Sequence, residues 1–80
     1  METTIVIREL DRVVLATNLR KHGLKRGDVG TVVLKHGSRG YEVEFITLDG
    51  RTVAVVSVTT RQVRRIAPGE IAHARPIQVA

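Results

Sequence analysis

The sequence predicts an all-β protein that forms a small five-stranded antiparallel barrel. From residue 11 onward the apolar residues come in short valine-rich runs, DRVVLAT, TVVLKH, YEVEF and TVAVVSV, each bounded by glycine or polar residues. Runs of this length and composition are typical of strands, and no stretch has a convincing helical period. Tight-turn signals separate the later runs, and closure into a barrel removes the exposed edges of so short a sheet.

The first two strands, DRVVLAT and TVVLKH, are separated by a long first loop. The third, YEVEF, is the clearest element of the chain, because Tyr41, Val43 and Phe45 alternate with Glu42 and Glu44. One face of this strand is therefore apolar and the other acidic, as expected where one side of an antiparallel sheet meets water.

Two hairpin turns frame YEVEF. The HGSRG segment before it places Gly37 and Gly40 where a tight hairpin needs a positive φ, and the Asp49-Gly50 pair after it is a common hairpin signal. The sequence therefore predicts a three-stranded meander in the middle of the chain.

The last two strands are less clearly defined. The run TVAVVSV is apolar on both faces, which indicates either a central strand covered on both sides or a strand with one side against a partner. In TTRQVRRI, the three-residue spacing of Val63 and Ile66 predicts a 3₁₀ turn before a brief fifth strand.

These elements divide the chain into three parts. Residues 10–67 form the barrel, which is SH3-like in its strand count, its tight turns and its long first loop. Residues 1–9 are an N-terminal segment that can add an edge strand through residues 4–8. Residues 68–80, which contain Pro68 and Pro76, form an extended C-terminal tail.

The stretch HGLKRGDVGTVV, residues 22–33, combines three glycines with an Arg-Gly-Asp triplet. Its glycine spacing fits neither a P-loop nor a dinucleotide fingerprint, and it leads into a strand, so no helix N-terminus faces an anion. The triplet arises easily by chance, and as an adhesion signal it needs an extracellular context. We expect structural turns here and in the hairpins. The residues assigned to these turns are Gly23, Gly27, Asp28, Gly30, Gly37, Gly40 and Gly50.

The run DRVVLATNL, followed by HGLKRGDVGTVV, YEVEF, a hairpin into TVAVV and a closing QVRRI, resembles an uncharacterised bacterial domain-of-unknown-function family of small SH3-like barrel proteins. The resemblance covers residues 10–66. The segment GDVGTVV is also similar to the glycine turn of KOW-type barrels, several of which bind RNA or ribosomal protein. The family resemblance implies a fold and a bacterial origin, and it assigns no functional residue.

Side chains that could carry chemistry are few, and we expect no catalytic, metal or cofactor site. The chain has no cysteine, and no two of its three histidines have the spacing that places both imidazoles on one metal. Glu42 and Glu44 share a strand face as paired carboxylates could, but Lys35 and Arg51 on neighbouring strands predict cross-strand ion pairs instead. Eighty residues leave little room for a buried active site. We therefore do not expect an enzyme.

Composition and charge leave two classes of partner. Thirteen Lys and Arg against eight Asp and Glu give a net charge of +5, which suits an anionic partner or solubility alone. The start of the chain does not resemble a leader and no stretch is long enough to span a bilayer, so we expect the cytoplasm and no membrane partner. One Phe and one Tyr are too few for a groove that stacks bases or binds proline-rich peptides.

We therefore expect a non-catalytic protein-interaction module, of an accessory or toxin-neutralising type, without a small-molecule substrate. It would bind itself or another protein through sheet edges and an apolar patch from TVAVVSV or the tail. The alternative is KOW-like binding of RNA or DNA phosphates without sequence specificity. The basic residues for that alternative are Arg20, Lys21, Lys25, Arg26, Arg61, Arg64 and Arg65. On the predicted 3₁₀ turn, Arg61 and Arg64 would face the same side.

Overall fold

The computed structural model describes residues 6–78, which contain five strands. The strands are β1 (Arg12–Leu15), β2 (Val29–Lys35), β3 (Gly40–Ile46), β4 (Thr52–Thr59) and β5 (Val63–Arg65). They form one antiparallel sheet in the order β4-β3-β2-β1-β5. The predicted all-β class and the five antiparallel strands are confirmed.

The sheet is open between β4 and β5, which differs from the closed barrel that the sequence predicts. Within residues 6–78 no ladder joins these two strands. After β4 the chain turns at residues 59–62, where the amide of Gln62 donates to the carbonyl of Thr59 at 3.1 Å. The three residues of β5 then pair with β1. Because the short β5 pairs with β1, it does not pair with β4, and one edge of β4 has no neighbouring strand among residues 6–78.

The 3₁₀ turn of the described residues lies in the first loop, at Arg20–His22. The prediction of a 3₁₀ turn directly before β5 was wrong, because residues 60–62 form a hydrogen-bonded turn and Val63 already belongs to the strand. Val63 pairs with Leu15 of β1, and its side chain is buried in the core. Ladder pairing therefore extends into the segment that residue spacing alone assigned to a turn.

The alternation of β3 builds the centre of the core. Tyr41, Val43 and Phe45 are buried, whereas Glu42 and Glu44 lie half-buried on the opposite face. Buried apolar side chains from each of the other four strands and from the first loop pack against the buried face of β3. All five strands therefore contribute to one core.

The segments that flank the sheet contain no strand. Residues 6–8 belong to none, and residues 4–5 of the predicted N-terminal edge strand lie outside the described residues. Residues 66–78 form neither strand nor helix, although Ile77 packs against the core. Among residues 6–78, no helix is long and apolar enough to cross a membrane.

Candidate functional site

The glycine-rich stretch at residues 22–33 forms the end of the first loop and most of β2. The 3₁₀ turn ends at Gly23, which has a φ of 70°. The chain turns again at residues 25–28, where the amide of Asp28 donates to the carbonyl of Lys25 at 2.9 Å. Gly27, the third residue of this turn, has a φ of 97°. This is the left-handed backbone that a type II turn requires at that position.

Asp28 connects this turn to the C-terminal tail. Its Oδ2 accepts a hydrogen bond from the amide of Lys25 at 2.8 Å. Nε of Arg75 donates to Oδ1 at 2.9 Å, Nη2 of Arg75 donates to Oδ2, and Nη2 also donates to the carbonyl of Gly23 at 3.1 Å. Burial alone would raise the pKa of Asp28, but the hydrogen bonds from Arg75 and Lys25 outweigh burial and hold the pKa below its usual 3.8. Arg75 therefore clamps the tail onto the loop.

Two glycines lie where neighbouring strands leave no space for a side chain. A Cβ on Gly30 of β2 would lie 2.5 Å from Cγ1 of Val43. A Cβ on Gly40 of β3 would lie 2.2 Å from the carbonyl oxygen of Val58. The glycines in the two hairpin turns, with φ of 57° and 96° respectively, are Gly37 and Gly50.

The basic residues selected for nucleic-acid contact fall into two groups. One group has exposed side chains without an ion pair among the described residues, and it consists of Arg20, Lys21, Lys25, Arg26 and Arg61. Arg64, in the other group, donates to the carboxylate of Glu70 at 2.9 and 2.7 Å, which lowers the pKa of Glu70 to about 2. Arg65 donates to the carbonyl of Val6 at 3.3 Å.

The predicted eclipse of Arg61 and Arg64 on one 3₁₀ turn was wrong. Arg61 lies in the turn after β4, whereas Arg64 lies in β5. The two guanidinium groups therefore do not share a helical face.

The outer face of the sheet brings a histidine, a carboxylate and a serine together. Nε2 of His36 lies 2.8 Å from Oε2 of Glu42, and the hydroxyl of Ser57 donates to the same oxygen. The bond from Ser57, followed by that from His36, lowers the pKa of Glu42. The carboxylate lies between the other two groups, so the imidazole is not placed to take a proton from the hydroxyl. The cluster therefore does not have the order of a hydrolytic triad.

The predicted ion pairs of Glu42 and Glu44 with Lys35 and Arg51 do not form among the described residues. Glu44 accepts a hydrogen bond from the hydroxyl of Thr52 at 2.9 Å. Arg51 lies in the hairpin before β4, where its Nε is 3.8 Å from Oδ2 of Asp49. Within residues 6–78, no three His, Cys, Asp or Glu side chains group in a way that could hold a metal.

β4 is an edge strand with open backbone groups. The carbonyl of Gly40 in β3 faces β2, so its ladder partner Thr59 directs its own amide and carbonyl away from β3. Gln62 bonds both of these groups of Thr59. Because backbone direction alternates along an antiparallel ladder, Ser57 and Val55 also direct their amides and carbonyls outward. Within residues 6–78, no backbone group bonds these two residues from that side.

The open stretch of β4 covers residues 54–58. At the start of the strand, an irregularity in the β3–β4 ladder leaves Val53 without a ladder partner in β3. At its end, Gln62 bonds the backbone amide and carbonyl of Thr59. The side chain of Val55 is 53% exposed. The interpretation of TVAVVSV as a central strand covered on both sides is therefore wrong, because β4 lies at the edge of the sheet. The sequence did not indicate Val55 or Ser57 individually as contact residues.

A groove of about 570 Å³ lies between the tail, the first loop and the β3–β4 hairpin. Its apolar lining includes Phe45, Ile46 and Leu48, and residues 72–77 of the tail form the other wall. Leu48 and the tail residue Ile71 are each 94% exposed. Arg75 joins the tail to the first loop, whereas Leu48 at the tip of the β3–β4 hairpin is exposed to solvent.

The described residues define a small all-β protein with one open, five-stranded antiparallel sheet and an uncharged edge strand. The chain belongs to the family described as Domain of unknown function (DUF4926), whose model matches residues 9–65. This match covers all five strands and the first loop, and it ends before the tail. No curated protein and no solved structure matches the chain. The predicted resemblance to a domain-of-unknown-function family is confirmed at this level.

Proposed function

We propose that this chain is a protein-interaction module that accepts an extended strand at the open edge of β4. The contrast between the two edges of the sheet carries this proposal. β5 has three residues, of which two are arginines, and short charged strands are the usual protection of an edge. β4 has eight residues, TVAVVSVT, without a charge or a proline. An uncharged edge of this length is suited to pairing with another chain.

Strand addition at β4 satisfies backbone groups that otherwise face water. Val55 and Ser57 each offer one amide and one carbonyl in the direction away from β3. Each hydrogen bond to such a group contributes about 0.5–1.5 kcal/mol net, and side chains on alternate residues of the added strand contact Val55 on the outer face. Specificity then comes from the added strand's side chains, since β4 itself presents no charge.

An SH3-like arrangement is part of this proposal. The strand order places β4 and β5 at opposite edges, and buried side chains from all five strands share one core. In an SH3-like arrangement the sheet curves around this core, and without a ladder between its two edges the outer backbone groups of β4 stay available.

Amide exchange of the ¹⁵N-labelled chain tests this proposal. The probe is an uncharged peptide of alternating Thr and Val, and the measured sites are the amides of Val55 and Ser57. We expect the peptide to slow exchange at both amides by roughly tenfold, which corresponds to a net hydrogen-bond free energy of about 1.4 kcal/mol. The amide of Val56, which faces β3, is the internal control and keeps its rate.

A pair of lysine variants completes this test. Val55→Lys places a charge on the open edge and is expected to abolish the protection. Val33→Lys places the same charge on an exposed valine of the interior strand β2 and is expected to leave it unchanged. The proposal fails if the peptide protects neither amide in the unmodified chain, or if both variants respond alike.

Phosphate binding is a second candidate function, favoured by the five exposed basic side chains that have no ion pair among the described residues. If they bind nucleic acid, affinity for RNA and duplex DNA falls steeply as salt rises, and it falls alike for unrelated sequences. Replacing Arg20 and Arg26 with Ala should weaken binding, whereas Arg64→Ala should not, because Glu70 already holds Arg64. Fluorescence anisotropy measures both effects, and the absence of binding at low salt rejects this candidate.

A further inference from the structure

We infer that the strand accepted by β4 is β4 of a second copy of this chain, so that two sheets join in a two-fold antiparallel dimer. This inference rests on the proposed function of the β4 edge, and it names the partner. Three properties of β4 favour a second copy: the direction of its backbone groups, the symmetry that they allow, and its lack of charge.

Symmetry restricts how two copies of β4 can pair. The two-fold axis of an antiparallel pair of identical strands is perpendicular to the sheet, so directly opposed residues must lie on the same face in both copies. Val55 opposite Ser57 of the second copy meets this condition and places Val56 on the axis. Val55 and Ser57 are also the two residues of the open stretch whose backbone groups face outward.

In this register the outward groups of both copies are satisfied together. The amide of Val55 donates to the carbonyl of Ser57 of the second copy, and the amide of Ser57 of the second copy donates to the carbonyl of Val55. The symmetric pair repeats both bonds. No outward amide or carbonyl of residues 54–58 is left without a partner, so the open stretch is self-complementary.

The charge distribution also favours a neutral partner, and β4 is one. Each copy has a net charge of +5, but residues 52–59 have none. The nearest carboxylates on the outer face belong to Glu42 and Glu44 of β3, and the hydroxyl groups of Ser57 and Thr52 donate to them. β4 therefore adds no charge of its own to the centre of the dimer.

The ends of the paired strands behave differently. In the same register, the segment with Arg51 of one copy approaches the segment with Arg61 of the second copy. Asp49 lies 3.8 Å from Nε of Arg51 and offsets its charge, so the repulsion from Arg61 is weak and added salt screens it. Self-association should therefore not weaken as salt rises, in contrast to phosphate binding.

Light scattering and amide exchange on the full chain test this inference. Over a roughly fifty-fold increase in protein concentration we expect the mass to rise from one copy to two. The amides of Val55 and Ser57 should become protected over the same range, while the amide of Val56 keeps its rate. Val55→Lys should remain a monomer throughout, and Val33→Lys should dimerise like the unmodified chain.

The possible outcomes separate this inference from the proposed function. A monomer at every concentration, with fast exchange at both amides, overturns self-pairing, yet strand addition stands if the Thr-Val peptide still protects them. A dimer without protection of these amides, or a Val55→Lys dimer, places the interface elsewhere and overturns self-pairing at β4. Protection of both amides in the monomer at every concentration means that the chain covers its own edge, and both proposals then fail.

Discussion

Gly27 shows how the backbone of one residue constrains the first loop. Its φ is 97° and a Cβ there would meet nothing within 4 Å, so the backbone conformation rather than lack of space selects glycine. A side chain in this conformation costs about 1–2 kcal/mol, and a β-branched one costs more. For a domain of this size, 1 kcal/mol corresponds to roughly 4–8 °C in melting temperature. We expect Gly27→Val to lower the melting temperature by at least several degrees.

The matched control for Gly27→Val is Arg26→Ala. The Arg26 side chain is exposed and has no ion pair among the described residues, so its removal should leave the melting temperature nearly unchanged while it breaks the Arg-Gly-Asp triplet. Thermal unfolding followed by circular dichroism measures both variants. Equal melting curves for Gly27→Val and the unmodified chain would contradict the turn.

Gly30 is constrained by packing. A Cβ at this position would lie 2.5 Å from Cγ1 of Val43 and 2.8 Å from the ring of Phe45, so Gly30→Ala should destabilise the fold by about 1–3 kcal/mol through overpacking. Val43→Ala removes one of the clashing groups. In denaturant unfolding, the double variant should therefore lose less stability than the two single losses added together, and strict additivity would argue against the clash.

At the residue scale, the local sequence pattern predicted the turn residues but not the distant side chain that binds Asp28. The turn at residues 25–28 depends on neighbours in sequence, so Gly27 and Asp28 were visible from the sequence alone. The partner of Asp28 is Arg75, 47 residues further along the chain. A single arginine in a tail has no periodicity or motif, and sequence reasoning therefore missed the contact.

The tail is an element held by two alternating side chains, Arg75 and Ile77. The folded-state pKa of Asp28 is lowered from 3.8, so its contribution to tail docking is fully present above that value and is lost as pH falls through the lowered pKa. We expect the Ile77 methyl signals to move toward those of a detached tail only below about pH 4. NMR titration of the Ile77 methyls and the Asp28 carboxyl measures this.

A lysine variant checks the cause of that acid transition. Arg75→Lys removes the two-nitrogen contact with Asp28, so the Asp28 pKa should rise toward its ordinary value and the tail should detach at higher pH. Arg39→Lys changes an exposed arginine that has no ion pair among the described residues and should shift neither. An unchanged Asp28 titration in Arg75→Lys would show that Arg75 does not hold the carboxylate.

Element type was easier to predict than element position in the sheet. The alternation of β3 defined its buried face correctly, because period two reports directly on two sides of a strand. The valines of β4 gave no such information about its neighbours. Burial of Val56 and Val58 is compatible with either an edge or a central strand, and only the ladder with β3 decided between them.

For the whole molecule, composition predicted charge but not its distribution. The net charge of +5 suggested a basic surface, yet Arg64 and Arg75 form ion pairs with Glu70 and Asp28. β4 has no charged residue, and the net charge of the whole chain does not show that one edge of the sheet is uncharged. Both proposed functions therefore depend on where the charges lie.

A final prediction concerns how much of the chain the fold requires. The family match ends at residue 65, and the tail beyond residue 70 contributes Arg75 to the loop and Ile77 to the core. A chain that ends at residue 70 keeps Glu70, which bonds Arg64 and accepts from the amide of Ala67 at 2.6 Å. We expect this chain to fold with the same sheet.

The cost of that truncation should be limited, because Ile77 is only partly buried. Complete burial of such a side chain contributes about 1.5–3 kcal/mol, so the melting temperature should fall by several degrees while the amide spectrum of the sheet stays dispersed. A second chain that ends at residue 67 also loses Glu70 and frees Arg64. Its melting temperature should lie close to that of the chain that ends at residue 70, because solvent screens the attraction between the exposed side chains of Arg64 and Glu70. Loss of a dispersed spectrum in the chain that ends at residue 70 would show that the tail is part of the folding unit and not an attachment to it.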